Sequence, residues 1–159
     1  MSRRALHVWI PSNNKYKSSR NRGRPAPVDG LNEIISSNRT HKYVGASRER
    51  QNVVHCARHI RQAMAKQGYR RMTHEDRCRA MVYMTIVEPH DRRDVPNVVG
   101  GATKYALDAL TATNDHGAGA IWDDNTKWLK KFVPSIRIDA DRPGIEITVI
   151  PLEEEKDEA

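Results

Sequence analysis

The stretch "RAMVYMTIVEP", residues 79–89, decides the fold, because its apolar and β-branched side chains form one unbroken run that ends at Pro89. A run of this length and composition is typical of a strand that is buried on both faces of a sheet. We therefore predict that it is the central strand. The chain has 159 residues, which suits one domain with a single hydrophobic core.

Weaker patterns on both sides of this strand predict an α+β fold. Apolar residues at period two indicate strands, and apolar residues at helical spacing with capping residues indicate helices. The predicted segments are, in chain order, a strand over 6–11, helices over 47–68 and 96–111, and strands over 128–139 and 144–151. With the central strand, the order is β-α-β-α-β-β, a mixed β-sheet with two main helices. We predict one domain over 1–151 and an acidic tail over 152–159.

Positive charge is concentrated near the N-terminus. The chain carries a net charge of +7, and residues 1–45 hold nine Lys or Arg against two carboxylates. This composition favours a polyanionic partner. The segment 17–45, rich in Ser, Asn, Gly and Pro, predicts a basic and partly mobile loop. Its arginines are expected to bind nucleic-acid phosphates in a salt-dependent way. They are Arg20, Arg22 and Arg24.

Hydropathy and cysteine content predict the compartment. No apolar run approaches the roughly 20 residues that a membrane-spanning helix needs, and the N-terminus does not resemble a secretion signal. Two cysteines, Cys56 and Cys78, are too few for a disulfide framework and suit a reducing compartment. We expect a cytoplasmic protein with no membrane partner.

Two acidic groups suggest metal chemistry. Asp91 and Asp94 follow the central strand, and Asp123 and Asp124 lie in a glycine-bearing loop after the second helix. If the two groups converge, their oxygens suit Mg²⁺, which can polarise a phosphodiester and activate water. The basic neighbours Arg92 and Arg93 would then hold DNA phosphates. The alternative is that these residues are solvated turn residues with surface ion pairs.

A second constellation suggests a different class of protein. His55 and His59 are four residues apart, and His74 and Cys78 repeat that spacing, so the four could bind zinc in a small nucleic-acid-binding module. Such loose spacing matches by chance far more often than a paired-cysteine motif. A non-catalytic nucleic-acid-binding protein therefore stays open beside a metal-dependent nuclease.

Five motifs, in order, resemble the RusA family of Holliday junction resolvases. They are "WIPSNNKY", "DRRDVPN", "KYALDAL", "IWDDN" and "GIEITV", and they extend over nearly the whole chain. The resemblance implies a RusA-like α+β nuclease domain that acts as a homodimer in bacteria or phage-infected cells. It also implies Mg²⁺ or Mn²⁺ as cofactor and four-way DNA junctions as substrate, each subunit making one nick.

The resemblance assigns roles to particular residues. Asp94 matches the family's first catalytic aspartate, and Asp124, with Asp123 beside it, matches the later one. Lys104 matches the helix lysine that lies near the cleaved phosphate. The DNA-binding positions that the motifs imply, besides Arg92, are Arg93, Asn97, Asn13, Asn14 and Lys15.

The sequence departs from the family at one ligand position. Family members carry a second aspartate two residues after the first, where this chain has Pro96. The interval from Asn97 to Lys104 is also about one helical turn longer than in the family. We therefore expect Asp91 or Asp123 to supply the missing charge.

Overall fold

The computed structural model describes residues 3–18, 20–40 and 42–153, with the side chains of 37–40 and 42–46 left aside. The seven elements are β1 Leu6–Pro11, α1 Leu31–Thr40, α2 Lys42–Gln67, β2 Ala80–Glu88, α3 Val95–Leu110, β3 Leu129–Ile138 and β4 Gly144–Pro151. They form a single mixed α/β domain, so the predicted α+β class is confirmed. Most of the predicted acidic tail lies outside the described residues. In the described part of the chain, no helix has both the length and the apolar composition needed to cross a membrane.

The four strands form one mixed sheet in the order β1-β4-β2-β3. β4 is antiparallel to both of its neighbours, and β2 is parallel to β3. β2 is thus an interior strand, as its apolar run predicted. The parallel pair needs a crossover, which α3 provides between the end of β2 and the start of β3.

The prediction that β2 is buried on both faces is wrong for one face. Val82, Met84 and Ile86 are at most 1% exposed and belong to the core that the helices cover. Met81 and Tyr83, on the other face, are only half-buried. The sequence did not reveal this difference, because apolar side chains occupy both faces of the strand.

The segment predicted as a long loop contains helix α1 and the beginning of α2. The N-terminus of α1 is capped from within, because the Glu33 carboxylate accepts a hydrogen bond from the Gly30 N–H at 3.1 Å. It is also capped from α3, where the Asn97 Oδ1 accepts from the Asn32 N–H at 2.6 Å. A cap supplied 65 residues away cannot be read from local composition.

The rest of the predicted mobile segment is a closed loop. Lys15 pairs with Pro25 in a short antiparallel bridge, and the Tyr16 N–H donates to the Arg24 carbonyl at 2.9 Å. Gly23 makes the turn, with a φ of 83° that favours glycine. Backbone hydrogen bonds therefore close the base of this loop, which we call the basic loop (residues 15–18 and 20–25).

Helix α3 crosses the start of α1 at a glycine contact. A Cβ on Gly101 would lie 2.4 Å from the backbone carbon of Gly30. The glycine pair in α3, which costs intrinsic helix stability, is thus where the two backbones approach each other. Pro96 lies in the first turn of α3, as predicted.

Candidate functional site

The residues at the N-terminal end of α3 form a closed network of charges, which we call the N-terminal cluster (Glu33, Glu88 and Arg93). The Arg93 Nε and Nη2 donate to the two Glu88 oxygens at 2.6 and 3.0 Å, and its Nη1 donates to Glu33 at 2.8 Å. Nη2 also donates to the Val28 carbonyl at 2.9 Å. The Arg93 and Glu88 side chains are 12% and 3% exposed. Carboxylates therefore occupy the Arg93 guanidinium in this structure, and its contact with a DNA phosphate stays a prediction.

The predicted carboxylates beside this network are exposed. Asp94 is the N-cap residue of α3, but its side chain makes no capping hydrogen bond. Asp91 and Arg92 are also exposed, and within the described residues none of the three forms an ion pair. Asn97, predicted to contact DNA, accepts a hydrogen bond from the Asn32 N–H at the start of α1.

The C-terminal half of α3 carries a second group, which we call the C-terminal cluster (Glu49, Lys104, Asp108 and Asp124). Lys104 and Asp108 are four residues apart and share one face of the helix. The Lys104 Nζ lies 3.1 Å from Glu49 Oε1 of α2. Burial raises the pKa of Asp108, and the nearby charges of Asp124 and Glu49 raise it further, while Lys104 lowers it. Like charges therefore outnumber cations here.

The loop that delivers Asp124 is shaped by Asp123. One Asp123 oxygen accepts from the Asp124 N–H at 2.8 Å, and the other accepts from the Asn125 Nδ2 at 2.9 Å. Both oxygens thus hold the turn, and the exposed Asp124 carboxylate is presented beside them. Burial raises the pKa of Asp124, and the Asp123 carboxylate raises it further.

The predicted acidic groups lie at different ends of α3. Asp94 and Asp108 are separated by about 21 Å along the helix axis, at a rise of 1.5 Å per residue. The charge of Asp124 raises the pKa of Asp108, so the structure places Asp124 near Asp108, at the other end of α3 from Asp94. Among the described residues, no three His, Cys, Asp or Glu side chains are arranged to hold a metal ion.

A carboxylate pair is nevertheless compatible with hydrated Mg²⁺. This ion takes one or two protein carboxylates and completes its octahedral shell with water and substrate phosphate. Asp108 and Asp124 offer oxygen ligands whose mutual repulsion a cation would relieve. Sequence reasoning missed Asp108 and Glu49 as site residues, although the spacing of Asp108 from Lys104 was a usable signal.

The "PSNNKY" turn lines a polar cleft of about 810 Å³ between the basic loop and α2. The floor is Asp29, which is 2% exposed and accepts from Arg48 at 2.6 Å and from Asn14 and Asn52 at 2.9 Å. Burial raises the pKa of Asp29, but these hydrogen bonds outweigh it and hold the pKa below its ordinary value. Asn13 donates to Asn52 at 3.2 Å. Asn13 and Asn14 therefore support the cleft.

The cations of the basic loop face solvent. All five are exposed, and in the described part of the chain none of them forms a salt bridge. A compact set of unneutralised cations is the electrostatic footprint of a phosphate-binding surface. They are Lys15, Lys17, Arg20, Arg22 and Arg24.

The zinc alternative has no support in the fold. The rings of His55 and His59 lie 4.8 Å apart on α2, and His55 Nε2 lies 2.7 Å from the Pro11 carbonyl oxygen. His74 contacts the Trp122 ring instead, at 6.0 Å between centroids. With Cys78, they form no metal-binding group among the residues that the structure describes.

No protein-family model matches the chain, and no curated protein is significantly similar to it. Function is therefore inferred from the geometry of the two clusters, from the basic loop and from the sequence motifs.

Proposed function

We propose that the chain is a metal-dependent, structure-selective DNA endonuclease that nicks branched DNA such as four-way junctions. The observation that carries this proposal is the C-terminal cluster, where Asp108 and Asp124 raise the local negative charge beside Lys104. A protein that only binds DNA gains nothing from carboxylates close to phosphate. The five motifs that resemble the RusA family support the same class of reaction, in recombination, repair or phage DNA processing.

The residues of the C-terminal cluster divide the work of phosphodiester hydrolysis. Asp108 and Asp124 would hold Mg²⁺ or Mn²⁺, which when bound polarises the phosphate and lowers the pKa of a bound water. Lys104 is exposed, and its ion pair with Glu49 is therefore weak. It can leave Glu49 for a DNA phosphate at little cost. Asp123 positions Asp124 by holding the turn.

The basic loop would supply most of the binding energy for the DNA backbone. Each phosphate contact releases counterions, so the logarithm of affinity falls with the logarithm of salt concentration by roughly 0.7–0.9 per contact. Replacing Arg20, Arg22 and Arg24 with Gln should reduce that slope by about 2–3. Replacing three exposed cations elsewhere with Gln, at Arg58, Lys66 and Arg137, is the control. If both triple variants reduce the salt slope of DNA affinity equally, the basic loop contributes no more to DNA binding than other exposed cations.

A homodimer fits this function, because four-way junctions have approximate two-fold symmetry and closed dimers are the commonest symmetric assembly. Two subunits would each place one C-terminal cluster against a strand. Light scattering on the purified chain measures its mass in solution. A monomer that nicks both strands equally well would contradict this part of the proposal.

The second candidate is a non-catalytic protein that binds branched nucleic acid. It is favoured by two observations: Pro96 replaces a family aspartate, and Asp94 lies at the other end of α3 from Asp124. The two candidates share the basic loop. They differ only in whether the C-terminal cluster cleaves.

A nicking assay separates the two candidates. End-labelled junction, fork, flap and duplex DNA are incubated with the protein, with and without Mg²⁺, beside Asp124→Asn and Asp94→Asn. We expect Mg²⁺-dependent nicks on branched substrates that Asp124→Asn abolishes. A full effect of Asp94→Asn would mean that Asp94 of a second subunit completes the site. Binding without any cleavage by the wild type would overturn the enzyme and leave the second candidate.

A further inference from the structure

Aromatic and cationic side chains flank the loop that carries Asp124. The Trp122 and Trp128 rings lie 6.4 Å apart, and the Arg77 guanidinium lies over both of them, at 5.6 and 5.1 Å from their centroids. The Lys127 Nζ lies 5.3 Å from the Trp128 centroid. We call these four residues the tryptophan cluster.

Backbone hydrogen bonds fix the main chain at both tryptophans. The Trp122 carbonyl accepts from the Ala112 N–H at 3.1 Å, and the Trp128 carbonyl accepts from the Ala80 N–H at 2.9 Å, where β2 begins. Within the loop, the Trp128 N–H donates to the Asn125 carbonyl at 3.1 Å. The two rings therefore stand at the two ends of a short, hydrogen-bonded turn, with Asp124 between them in sequence.

The cations of this cluster rest on π faces and not on carboxylates. In the described part of the chain, neither Arg77 nor Lys127 forms a salt bridge. Both tryptophans and Arg77 are partly exposed, and Lys127 is exposed. Solvent-accessible aromatic rings beside unneutralised cations are the combination that binds single-stranded nucleic acid, because every base has a face that stacks and every nucleotide has a phosphate.

We propose that the tryptophan cluster is a binding site for an unpaired nucleotide of DNA. The base stacks on the indole of Trp128, because the two indole planes are inclined at 66° and one planar base cannot lie flat on both. Arg77 and Lys127 contact the adjoining phosphates. The choice of DNA rests on the proposed function, since flap and fork DNA carry unpaired nucleotides next to the branch. The site would then hold the strand next to Asp124, where cleavage is proposed.

Intrinsic fluorescence tests this site directly. The third tryptophan, Trp9 on β1, is removed by Trp9→Phe, so that emission comes only from Trp122 and Trp128. An eight-nucleotide dT strand is titrated into this protein without metal, and an eight-base-pair duplex is titrated in parallel. We expect saturable quenching by the single strand at concentrations at which the duplex causes little. Trp128→Ala should weaken binding about tenfold, the equivalent of one stacked base.

Cation variants keep the test valid if Trp128→Ala fails to fold. Lys127→Gln and Arg77→Gln should each weaken binding of the dT strand several-fold. The matched control is Arg142→Gln, because Arg142 lies 4.8 Å from the Trp9 ring in the same kind of cation–π contact, and β1 and β3 are opposite edges of the sheet. No quenching, or an equal loss in Arg142→Gln, would overturn the proposal.

The same titration separates this proposal from the nuclease proposal. Asp124→Asn should abolish nicking but keep the affinity for the dT strand, because it removes only a negative charge from the neighbourhood of phosphates. If the wild type binds the dT strand but does not nick DNA, the nucleotide site is supported and the nuclease proposal is wrong. Nicking without quenching would reject the nucleotide site alone.

Discussion

The two ends of helix α3 carry the same kinds of charged side chain, but they differ in burial and in how fully the carboxylates are paired. At the N-terminal cluster, Glu88 and Glu33 share one largely buried arginine. The Arg93 Nε and Nη2 donate to Glu88, and its Nη1 donates to Glu33. At the C-terminal cluster, Asp108, Asp124 and Glu49 share one exposed lysine. The first arrangement hydrogen-bonds both carboxylates to one arginine and keeps one excess negative charge, whereas the second has two excess negative charges, which an external divalent cation would neutralise.

This contrast shows that composition is a poor guide to the use of a charged group. "HDRRDVPN" looks like the richer metal site in sequence, with two aspartates beside two arginines. In the fold, Arg93 of this stretch forms an ion pair with the buried Glu88, and Asp91 and Asp94 are exposed to solvent. The plainer "WDDN" loop comes near a helix carboxylate and acquires raised pKa values.

The largest effect should come from breaking the N-terminal cluster. Arg93→Met leaves Glu88 buried without a partner, which should lower the free energy of unfolding by about 3–5 kcal/mol. Urea denaturation measures it. Arg92→Met, one residue away and exposed, is the control and should stay within about 0.5 kcal/mol of the wild type. Equal losses would mean that the cluster contributes no more than a surface charge.

The next largest effect should be on the pH dependence of the free energy of unfolding, through Asp29 at the floor of the cleft. The pKa of Asp29 is held below its ordinary value in the folded state. Its stabilisation of the fold is therefore fully present above the pKa of the unfolded state and is lost as pH falls through the pKa of the folded state. Asp29→Asn should cost about 2 kcal/mol at pH 7 and flatten the fall of stability below about pH 4. Urea unfolding from pH 3 to pH 7 tests this, with Asp141→Asn in an exposed turn as control. If Asp29→Asn loses stability below about pH 4 as steeply as the wild type, the prediction is wrong.

The C-terminal cluster should respond to metal where the N-terminal cluster does not. Millimolar Mg²⁺ should stabilise the wild type by about 1 kcal/mol, a shift of a few degrees in Tm, and Asp124→Asn or Asp108→Asn should remove that shift. Without metal, the raised pKa values of both aspartates mean that stability is lost as pH rises through the folded pKa. Without metal at pH 7, the free energy of unfolding of each Asn variant should therefore equal or slightly exceed that of the wild type. A metal shift that survives in both variants would place the ion elsewhere.

The smallest effect on stability should come from Lys104. Its ion pair with Glu49 is exposed, so Lys104→Met should change the free energy of unfolding by less than about 0.5 kcal/mol. It should nevertheless raise the pKa of Asp108 further, because Lys104 is the cation that lowers it. A carboxyl titration by NMR reads this out, with Lys66→Met as control. An unmoved Asp108 titration would show that the two side chains do not interact.

Local sequence patterns predicted every strand to within about a residue of its bounds, since short-range periodicity and turn residues carry that information. They missed α1, because one of its caps comes from Asn97 and its contact with α3 requires Gly30 and Gly101 to meet. They also missed the half-exposed face of β2, because apolar residues occupy both faces.

The sequence by itself determined the strands, helix α3, the excess of positive charge and the residue types that a nuclease would need. Only the tertiary structure decided which charges meet. Glu33 and Arg93 are 60 residues apart, and Lys104 and Glu49 lie on different helices. The pairing of ionised groups depends on distances of a few ångströms and on burial, which the packing of α1, α2 and α3 sets and no local pattern encodes.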